Sequence, residues 1–374
     1  MTIEVPSTQG LRRLGDRSYL ATIPAGELRL RMTREEIPLA DALDFAARNN
    51  AKRHFLFVSK LLGRHLPTPP HHLRSAAATL AAKLHAAQIA EPCLFVGMAE
   101  TATALGQAVF REWTQAGGRG LYLDTTRRRT GGEVAFTFTE AHSHAPGHAV
   151  HRPSPENDPD GIFANAGALV IIDDEMTTGA TAENLVVAYE RWRGREIPAH
   201  LAVLVRWSAP LAAESRLEKH ALLEGSFEFS PSPEFKPEPV AATNKAVPVI
   251  ALRGTRHGLA AAQISPWLHA PAGRVLVVGT GEFGFLPLLL AEQIEAQGGE
   301  AFLQCTTRSP VALGGAIGHI RSFPAISGEG YPEFLYNVPD DHRYDRVILC
   351  CEDRLPTPTH PILALPRLEC RTLS

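Results

Sequence analysis

The sequence has few cysteines, little excess charge and no long apolar run. Its five scattered cysteines, an odd number, favour a reducing compartment over a disulfide framework. A net charge of −3 indicates no overall basic field for nucleic acid. The N-terminus shows no apolar signal core, and no apolar run approaches the roughly 20 residues that span a bilayer. We therefore expect a cytoplasmic protein, and 374 residues predict two or three domains.

The chain does contain a regular exchange of short apolar segments and helical patterns. Two helical patterns come first, at 36–66 and 72–90. The predicted strands that follow are 93–97, 120–126, 168–174 and 199–207, with predicted helices at 100–116 and 180–194. Apolar strands separated by helices favour a parallel sheet that is covered on both faces. The pattern therefore predicts a doubly wound α/β domain.

Two stretches interrupt this alternation. Residues 126–162 are basic, rich in histidine and punctuated by Pro and Gly, which predicts a long functional loop. Residues 230–248 have the composition of an interdomain linker, and a second alternation begins at 274. We therefore expect a first domain with an N-terminal hood over 1–230, a linker over 231–260 and a smaller α/β domain over 261–374.

The segment LVIIDDEMTTGAT, residues 169–181, places two adjacent aspartates at the end of an apolar strand. A strand end that meets water would explain Asp173 and Asp174 in the simplest way. The following turn, however, offers threonine hydroxyls, Gly179, backbone N–H groups and a helix N-terminus, which together suit a phosphate. Carboxylates accept hydrogen bonds from vicinal hydroxyls. The segment therefore predicts a site for a ribose 5-phosphate at the carboxyl end of a parallel strand.

This segment resembles the 13-residue motif of type I phosphoribosyltransferases, which binds phosphoribosyl diphosphate (PRPP), and it matches every motif position. The resemblance implies that Asp173 and Asp174 hold the 2- and 3-hydroxyls of PRPP. It also implies that the 5-phosphate is bound by the turn, whose residues are Met176, Thr177, Thr178, Gly179, Ala180 and Thr181.

Two further parts of that fold have candidates in the sequence. The first is the loop after the first strand, which would hold pyrophosphate through main-chain N–H groups; its residues are Gly97, Met98, Ala99, Glu100 and Thr101. The second is the run Arg127, Arg128 and Arg129 after the next strand, followed by a loop that would close over the site. The alternatives are that Gly97 is a simple turn residue and that the arginines form a solvated surface run.

The resemblance also implies Mg²⁺, bound through the pyrophosphate and the ribose hydroxyls of PRPP. Mg²⁺ prefers phosphate oxygens and waters, so we expect no metal site made of protein ligands alone.

Four histidines lie in the loop, His142, His144, His148 and His151, and their spacing matches no strong zinc pattern. The favoured hypothesis gives the loop a role as a lid that contacts pyrophosphate or base, with His142 and His144 in catalysis. A metal site and an ordinary surface loop are the alternatives.

The sequence is also similar to a narrower family that joins a phosphoribosyltransferase domain to a C-terminal domain named after its T-R-S-P motif. The segments that carry this similarity are NNAKRHFLFVSKLLGRHLP, GMAETATALG, TEAHSHA, IIDDEMTTGAT, TTRSP, IRSF and YPEFLYNV. Members occur with tellurium-resistance stress gene clusters and are predicted to make a modified nucleoside or nucleotide. The resemblance implies a hood for the acceptor that includes Lys52, Arg53, Phe55 and Lys60. A core aromatic is the alternative for Phe55.

The C-terminal domain reads as a degenerate repeat of the first. Aligning VGMAETATALG and LDTTRRR with VGTGEFGFLPL and QCTTRSP pairs Gly97 with Gly279, Glu100 with Glu282, and Arg127 with Arg308. The second copy lacks the phosphate turn, and generic α/β alternation could produce part of the match. We expect an anion site at Gly279, Glu282, Arg308 and Arg321. Alternatively, Arg308 pairs with Glu282 or Asp353 and only stabilises the domain.

These observations predict a Mg²⁺-dependent enzyme that moves ribose 5-phosphate from PRPP to a nitrogenous, base-like acceptor. The alternative is a PRPP-sensing regulatory or binding protein without turnover. The expected partners are small molecules and a second copy of the chain in a homodimer, with no nucleic acid and no membrane.

Overall fold

The computed structural model describes residues 10–50, 53–128, 130–139, 147–208, 216–238 and 273–373. The elements up to residue 231 are β1 (Leu11–Gly15), β2 (Ser18–Ile23), β3 (Gly26–Glu35), α1 (Leu39–Ala42), β4 (Leu43–Ala47), β5 (Phe55–Ser59), α2 (Pro70–Ala86), β6 (Cys93–Gly97), α3 (Thr103–Gln115), β7 (Gly120–Asp124), β8 (Val134–Thr139), β9 (Gly147–His151), α4 (Ile162–Asn165), β10 (Ala168–Met176), α5 (Ala180–Arg193), β11 (Ala199–Trp207) and β12 (Glu218–Pro231). Those after residue 272 are β13 (Arg274–Gly279), α6 (Phe285–Ala296), β14 (Glu300–Cys305), β15 (Ile320–Pro324), β16 (Pro332–Tyr336), β17 (Arg346–Cys351), a 3₁₀ helix (Pro361–Ala364) and β18 (Leu368–Thr372).

An eight-stranded sheet organises the first part, in the order β1-β2-β3-β12-β11-β10-β6-β7. Strands β12, β11, β10, β6 and β7 are parallel, and β1, β2 and β3 add an antiparallel extension. Alternate residues of β6 enter different cores: Cys93 and Phe95 face α2 and α3, while Leu94 and Val96 face α5. This burial on both faces confirms the predicted doubly wound α/β fold.

The second part has a smaller parallel sheet in the order β14-β13-β17-β18, with β15 and β16 as a separate antiparallel pair. Its core is not separate from the first. Val275, Val277 and Leu290 belong to the same hydrophobic cluster as Leu73 and Phe95. The two parts therefore pack together through a continuous apolar core. The domain boundaries themselves stay a prediction, since residues 239–272 lie outside the described residues.

The predicted helix over 36–66 is wrong. Among the described residues of this range only α1 is helical, and β4 and β5 form an antiparallel pair instead. Phe55 and Phe57 lie two residues apart and contact Phe227, and Phe57 also packs on Trp207. A two-residue spacing of buried aromatics fits a strand better than a helix.

The loop expected at 126–162 is also more regular than predicted, because β8 and β9 pair as an antiparallel hairpin within it. Residues 140–146, which join these strands, lie outside the described residues. Within the described part of the chain, no helix has the length and apolar character needed to cross a membrane.

Candidate active site

Asp173 and Asp174 lie near the carboxyl end of β10, between β6 and β11. Both side chains are half-buried, and the Asp174 N–H donates to Asp173 Oδ1 at 2.9 Å. Burial raises the pKa of Asp174 to about 6, the neighbouring Glu175 adds to the increase, and Arg53 opposes it. A carboxylate held in this way gains from any donor that approaches it, such as a hydroxyl group.

The turn after β10 ends at Gly179, which immediately precedes α5. Gly179 has φ of 81°, a left-handed conformation that favours glycine. A Cβ on Gly179 would lie 2.9 Å from Met176 Cε, so glycine also provides space. Thr178 Oγ1 accepts from the Ala180 N–H at 3.3 Å, and Thr177 and Thr181 are half-buried beside it. The turn therefore presents hydroxyls and the N-terminus of a 14-residue helix at the same sheet edge as the aspartates.

Arg53 connects the predicted hood to this edge. Its guanidinium forms a two-pronged ion pair with Glu175, with Nη2 donating to Oε2 at 3.1 Å and Nη1 to Oε1. The same group lies over the ring of Phe55, 4.7 Å from its centroid, and Phe55 also packs on Phe229. Glu175 follows the two aspartates directly, but no role was predicted for it from the sequence. Its partner lies 122 residues earlier, which only the fold brings near.

Lys60 is engaged on the other side of the hood. It donates to the Ala40 carbonyl at 2.8 Å and lies 3.9 Å from the Asp44 carboxylate.

The loop after β6 already uses two of its main-chain N–H groups within the protein. Met98 donates to the Ile172 carbonyl at 2.9 Å, and Ala99 donates to Thr125 Oγ1 at 2.8 Å. Gly97 is required here because a Cβ would lie 2.0 Å from the Tyr122 hydroxyl. Thr101 is half-buried, and α3 begins only at Thr103.

Glu100 faces the second domain. Its carboxylate accepts from the backbone N–H and from Nε of Arg308, both at 3.1 Å, and lies 3.7 Å from Arg64. Arg64 also donates to the backbone carbonyls of Glu100 and Gly281, at 2.6 and 2.5 Å. Burial opposes the charge on Glu100, but Arg308 and Arg64 outweigh burial and lower the pKa of Glu100. The second domain therefore fixes the position of this loop.

Arg127 makes the reciprocal contact with the second domain. Its backbone N–H donates to Glu282 Oε1 at 3.1 Å, and Thr126 Oγ1 donates to Oε2 at 2.6 Å. The Arg127 side chain turns towards the hairpin, where Nε donates to His148 Nε2 at 3.2 Å. His148 is buried and stacks on Phe138, with ring centroids 4.8 Å apart. His148, one of the four loop histidines, therefore accepts a hydrogen bond from Arg127.

Arg128 enters the second domain. Its guanidinium donates to Glu329 at 2.8 Å and to Ser327 at 2.9 Å, and it lies 3.6 and 3.8 Å from Glu333 and Glu352. All three carboxylates are buried. Burial alone would lower the pKa of Arg128, but the surrounding acidic groups raise it well above its usual value.

Among the remaining predicted residues of the second domain, Gly279 lies beside the strand end that leads to Arg308, because it pairs with Cys305 and its carbonyl accepts from the Thr306 N–H at 2.9 Å. Gly279 ends β13, and Arg308 lies over the ring of Tyr331 at 4.8 Å with its Nη2 unpaired among the described residues. Arg321, on β15, forms an ion pair with Asp340. Lys52, Arg129, His142 and His144 lie outside the described residues.

The unit formed by β6, its following loop and α3 and the unit formed by β13, its following loop and α6 contain equivalent internal hydrogen bonds. They are the two β-loop-α units of the structure. Thr125 donates its N–H to Gly97 O at 2.9 Å, and Thr306 donates to Gly279 O at the same distance. Thr125 Oγ1 accepts from Ala99 at 2.8 Å, and Thr306 Oγ1 accepts from Gly281 at 2.8 Å. Each unit then offers its glutamate to the arginine segment of the other. The units therefore meet with approximate two-fold symmetry across the interface between the domains.

The mostly parallel sheet carries an acidic pair and a glycine-capped helix at its carboxyl edge, which is the edge where open α/β sheets bind their ligands. A family model described as a phosphoribosyl transferase matches residues 42–228, half of the chain, and a model of the TRSP domain that follows it matches residues 252–364. The chain belongs to this phosphoribosyltransferase family and carries its C-terminal TRSP domain.

Several solved structures are similar to this chain at low identity. The adenine phosphoribosyltransferase of Trypanosoma brucei is 12% identical, with 49% of this chain and 76% of that chain covered and a TM-score of 0.35. The enzyme named in the same way from Rhodothermus marinus is 17% identical, covers 50% and 96%, and has a TM-score of 0.32. A Staphylococcus aureus hypoxanthine phosphoribosyltransferase is 16% identical, covers 43% and 78%, and has a TM-score of 0.25. None of the curated proteins matches the chain. Family membership therefore rests on the two family models.

Proposed function

We propose that the protein transfers ribose 5-phosphate from PRPP to a nitrogenous, base-like acceptor and releases pyrophosphate. The observation that carries this proposal is the geometry of residues 173–181. Two half-buried carboxylates, one with a raised pKa, precede a turn with a left-handed glycine and the N-terminus of α5. The carboxylates suit hydroxyl donors, and the turn with the helix N-terminus suits phosphate oxygens.

In this proposal Asp173 and Asp174 accept hydrogen bonds from the ribose hydroxyls, and residues 176–181 bind the 5-phosphate. A bond forms between an acceptor nitrogen and C1 of the ribose, and the C1–O bond to pyrophosphate breaks. Arg127, held by His148, follows β7, which is separated from β10 by β6, and would stabilise the negative charge of the leaving group.

The carboxylates at this edge have the oxygen chemistry that Mg²⁺ prefers, and the ion would be held largely by PRPP itself and water. When bound, Mg²⁺ would neutralise charge on the pyrophosphate.

The acceptor would lie between the hood and the end of β10. The ion pair of Arg53 with Glu175 lies on this side of the edge, and its guanidinium covers the ring of Phe55, which is itself a buried core residue. Planar, delocalised groups of this kind suit a flat heterocycle with polar edges. The proposed product is a modified nucleotide or nucleoside.

The decisive experiment incubates the purified protein with PRPP, Mg²⁺ and the small-molecule fraction of a cell extract. Pyrophosphate release and a new nucleotide in the mass spectrum are expected. The Asp173→Asn/Asp174→Asn variant should lose both signals, whereas Asp341→Asn, at an exposed aspartate that also has an aspartate neighbour, should retain them. PRPP binding by calorimetry without pyrophosphate release in any extract would instead support a sensor. No PRPP binding at all would overturn both functions.

A further inference from the structure

Two histidines and a glutamate converge at the amino end of the main sheet, away from residues 173–181. His200 lies near the start of β11, and Glu218 and His220 lie at the start of β12. The strands are parallel, with His200 opposite Glu218 and Ala202 opposite His220. Residues that pair across parallel strands, or lie two apart on one strand, share a face. All three side chains therefore lie on the face that packs towards α2.

The ligand atoms of these side chains lie close enough to share one ion. Nδ1 of His200 is 3.3 Å from Nε2 of His220. The Glu218 carboxylate lies 3.5 Å from His200 Nδ1 and 3.8 Å from His220 Nε2. A tetrahedral zinc ion with Zn–N bonds of about 2.0–2.1 Å requires its ligand atoms to be about 3.3–3.4 Å apart. The distance between the two nitrogens already meets this requirement, and the glutamate needs only a small rotation.

The two histidines and the glutamate differ in exposure in a way that suits a metal site. His200 and His220 project from neighbouring strands inside the sheet, and their side chains are 9% exposed. Glu218 is 58% exposed and can adjust without moving the backbone. Among the described residues this is the one group of three or more potential ligands that meets in this way. A simple hydrogen bond between the two imidazoles would explain their distance, but not the carboxylate that faces both.

The surrounding charges do not oppose a cation strongly. Lys83 of α2 acts electrostatically on His220, but its amino group forms an ion pair with Glu36. Glu218 contributes a negative charge to both rings.

We propose that His200, Glu218 and His220 bind a divalent transition cation, with zinc the best fit, and leave a fourth position for water. Two imidazoles with one carboxylate suit zinc and its neighbours in the periodic table, whereas Mg²⁺ and Ca²⁺ prefer oxygen ligands alone. The sequence did not single out His200, Glu218 and His220, because these residues belong to no spacing pattern that ligands usually follow.

The site is independent of the proposed PRPP edge. Asp173 pairs with Val203, whose side chain lies in the core on the α5 face of the sheet. Ala202, which lies on the same face as His200, belongs to the core on the opposite, α2 face. The position opposite Asp173 also lies three residues, or about 10 Å, further along β11 than His200. The proposed ion therefore takes no part in phosphoribosyl transfer. Its role is to tie β11 to β12, where the parallel strands meet the antiparallel extension.

The test uses untagged full-length protein that has been stripped with a chelator and titrated with Zn²⁺ in competition with a chromophoric chelator. One tight equivalent is expected, and Co²⁺ should produce the intense visible absorption of a tetrahedral site. His200→Ala and His220→Ala should weaken Zn²⁺ binding by more than about 100-fold, since loss of groups that merely orient ligands already costs about 10- to 100-fold. Glu218→Gln should weaken it less.

Two controls locate the ion. His71→Ala removes a half-exposed histidine that also faces a glutamate, Glu295. The neighbouring His72 ring does not complete a group of three ligand atoms that meet within the described part of the chain, so this variant should bind Zn²⁺ normally. His142→Ala/His144→Ala tests the histidine-rich loop, which contributes nothing in this proposal. Loss of the tight equivalent in that variant, or its survival in His200→Ala/His220→Ala, would overturn the assignment.

Thermal unfolding provides a second readout. Zn²⁺ at about 100 times its Kd should raise the Tm of the native protein by about 3–5 °C and leave His220→Gln unchanged. Glutamine keeps a hydrogen-bonding group in place of the imidazole, so this variant should fold even if the alanine variants do not. Failure of the native protein to bind one equivalent at micromolar Zn²⁺ would exclude the site.

Discussion

At the scale of single residues, Asp174 carries its charge where burial and Glu175 both oppose ionisation. Its pKa of about 6 in the folded protein compares with about 3.9 in an unfolded chain. The folded state therefore holds the proton more tightly, so stability falls as the pH rises from about 4 to about 6. Above that range the full destabilisation remains. A bound sugar hydroxyl would recover part of this cost.

Asp174→Asn should consequently stabilise the protein at neutral and alkaline pH. Asparagine cannot ionise, so its advantage over the native residue should grow by about 1 kcal/mol between about pH 5 and about pH 8. Urea unfolding at the two pH values measures this difference, with the exposed Asp341→Asn as a control that should show no such trend. The same variant should lose most of its PRPP affinity in calorimetry. A variant that is less stable at pH 8, or that keeps its PRPP affinity, would contradict the role given to Asp174.

At the scale of elements, each domain contains one β-loop-α unit in which a glycine ends the strand and the helix packs tightly above it. A Cβ on Gly97 would lie 2.0 Å from the Tyr122 hydroxyl, and a Cβ on Gly279 would lie 2.1 Å from the Phe283 carbonyl. The Tyr122 hydroxyl lies 3.0 Å from the Thr103 carbonyl, so it cannot move without losing this hydrogen bond. These glycines therefore permit the close approach of strand, loop and helix.

Gly97→Ala should lower the free energy of unfolding by about 1–3 kcal/mol, because the methyl group forces Tyr122 from its position. Gly147→Ala is the matched control, since nothing lies within 4 Å of a Cβ at this position. It should change the free energy of unfolding by less than about 0.5 kcal/mol. Chemical denaturation of both variants measures the difference. Equal stability of the two variants would show that Tyr122 has room to move.

At the scale of the whole molecule, the interface between the domains contains several buried ion pairs around a shared apolar core. Arg128 of the first domain is 7% exposed and lies among Glu329, Glu333 and Glu352 of the second, which are 1–3% exposed. The arginine and the glutamates compensate one another's charge only while the two domains stay together. Removing one partner leaves the others charged and buried, which is far more costly than loss of a surface pair.

Arg128→Met should therefore destabilise the protein by about 3–5 kcal/mol. Arg152→Met removes an exposed arginine that lies 3.6 Å from the exposed Glu133, and should cost less than about 0.5 kcal/mol. Denaturant titration followed by tryptophan fluorescence measures both. A small effect of Arg128→Met would mean that solvent enters the interface readily and that the domains separate without unfolding.

The sequence by itself determined the features that contiguous residues encode. The strands of 93–97 and 199–207, the turn at Gly179 and the edge that carries Asp173 depend on local apolar pattern, glycine placement and helix capping, and the structure contains each of them. The strands within 36–66 were not predicted in this way. Their aromatic residues are buried by contact with Trp207 and Phe227, which lie far along the chain.

Only the tertiary structure decided which charged groups meet. Glu100 bonds Arg308 across 208 residues, and Arg128 bonds Glu329 across 201. The imidazoles of His200 and His220 meet because the parallel register of β11 and β12 brings two strand starts together. Local propensity acts over a few residues, whereas ion pairs and ligand clusters depend on the packing of distant elements. This is why the sequence could specify the turn at Gly179 but not the partner of a single arginine.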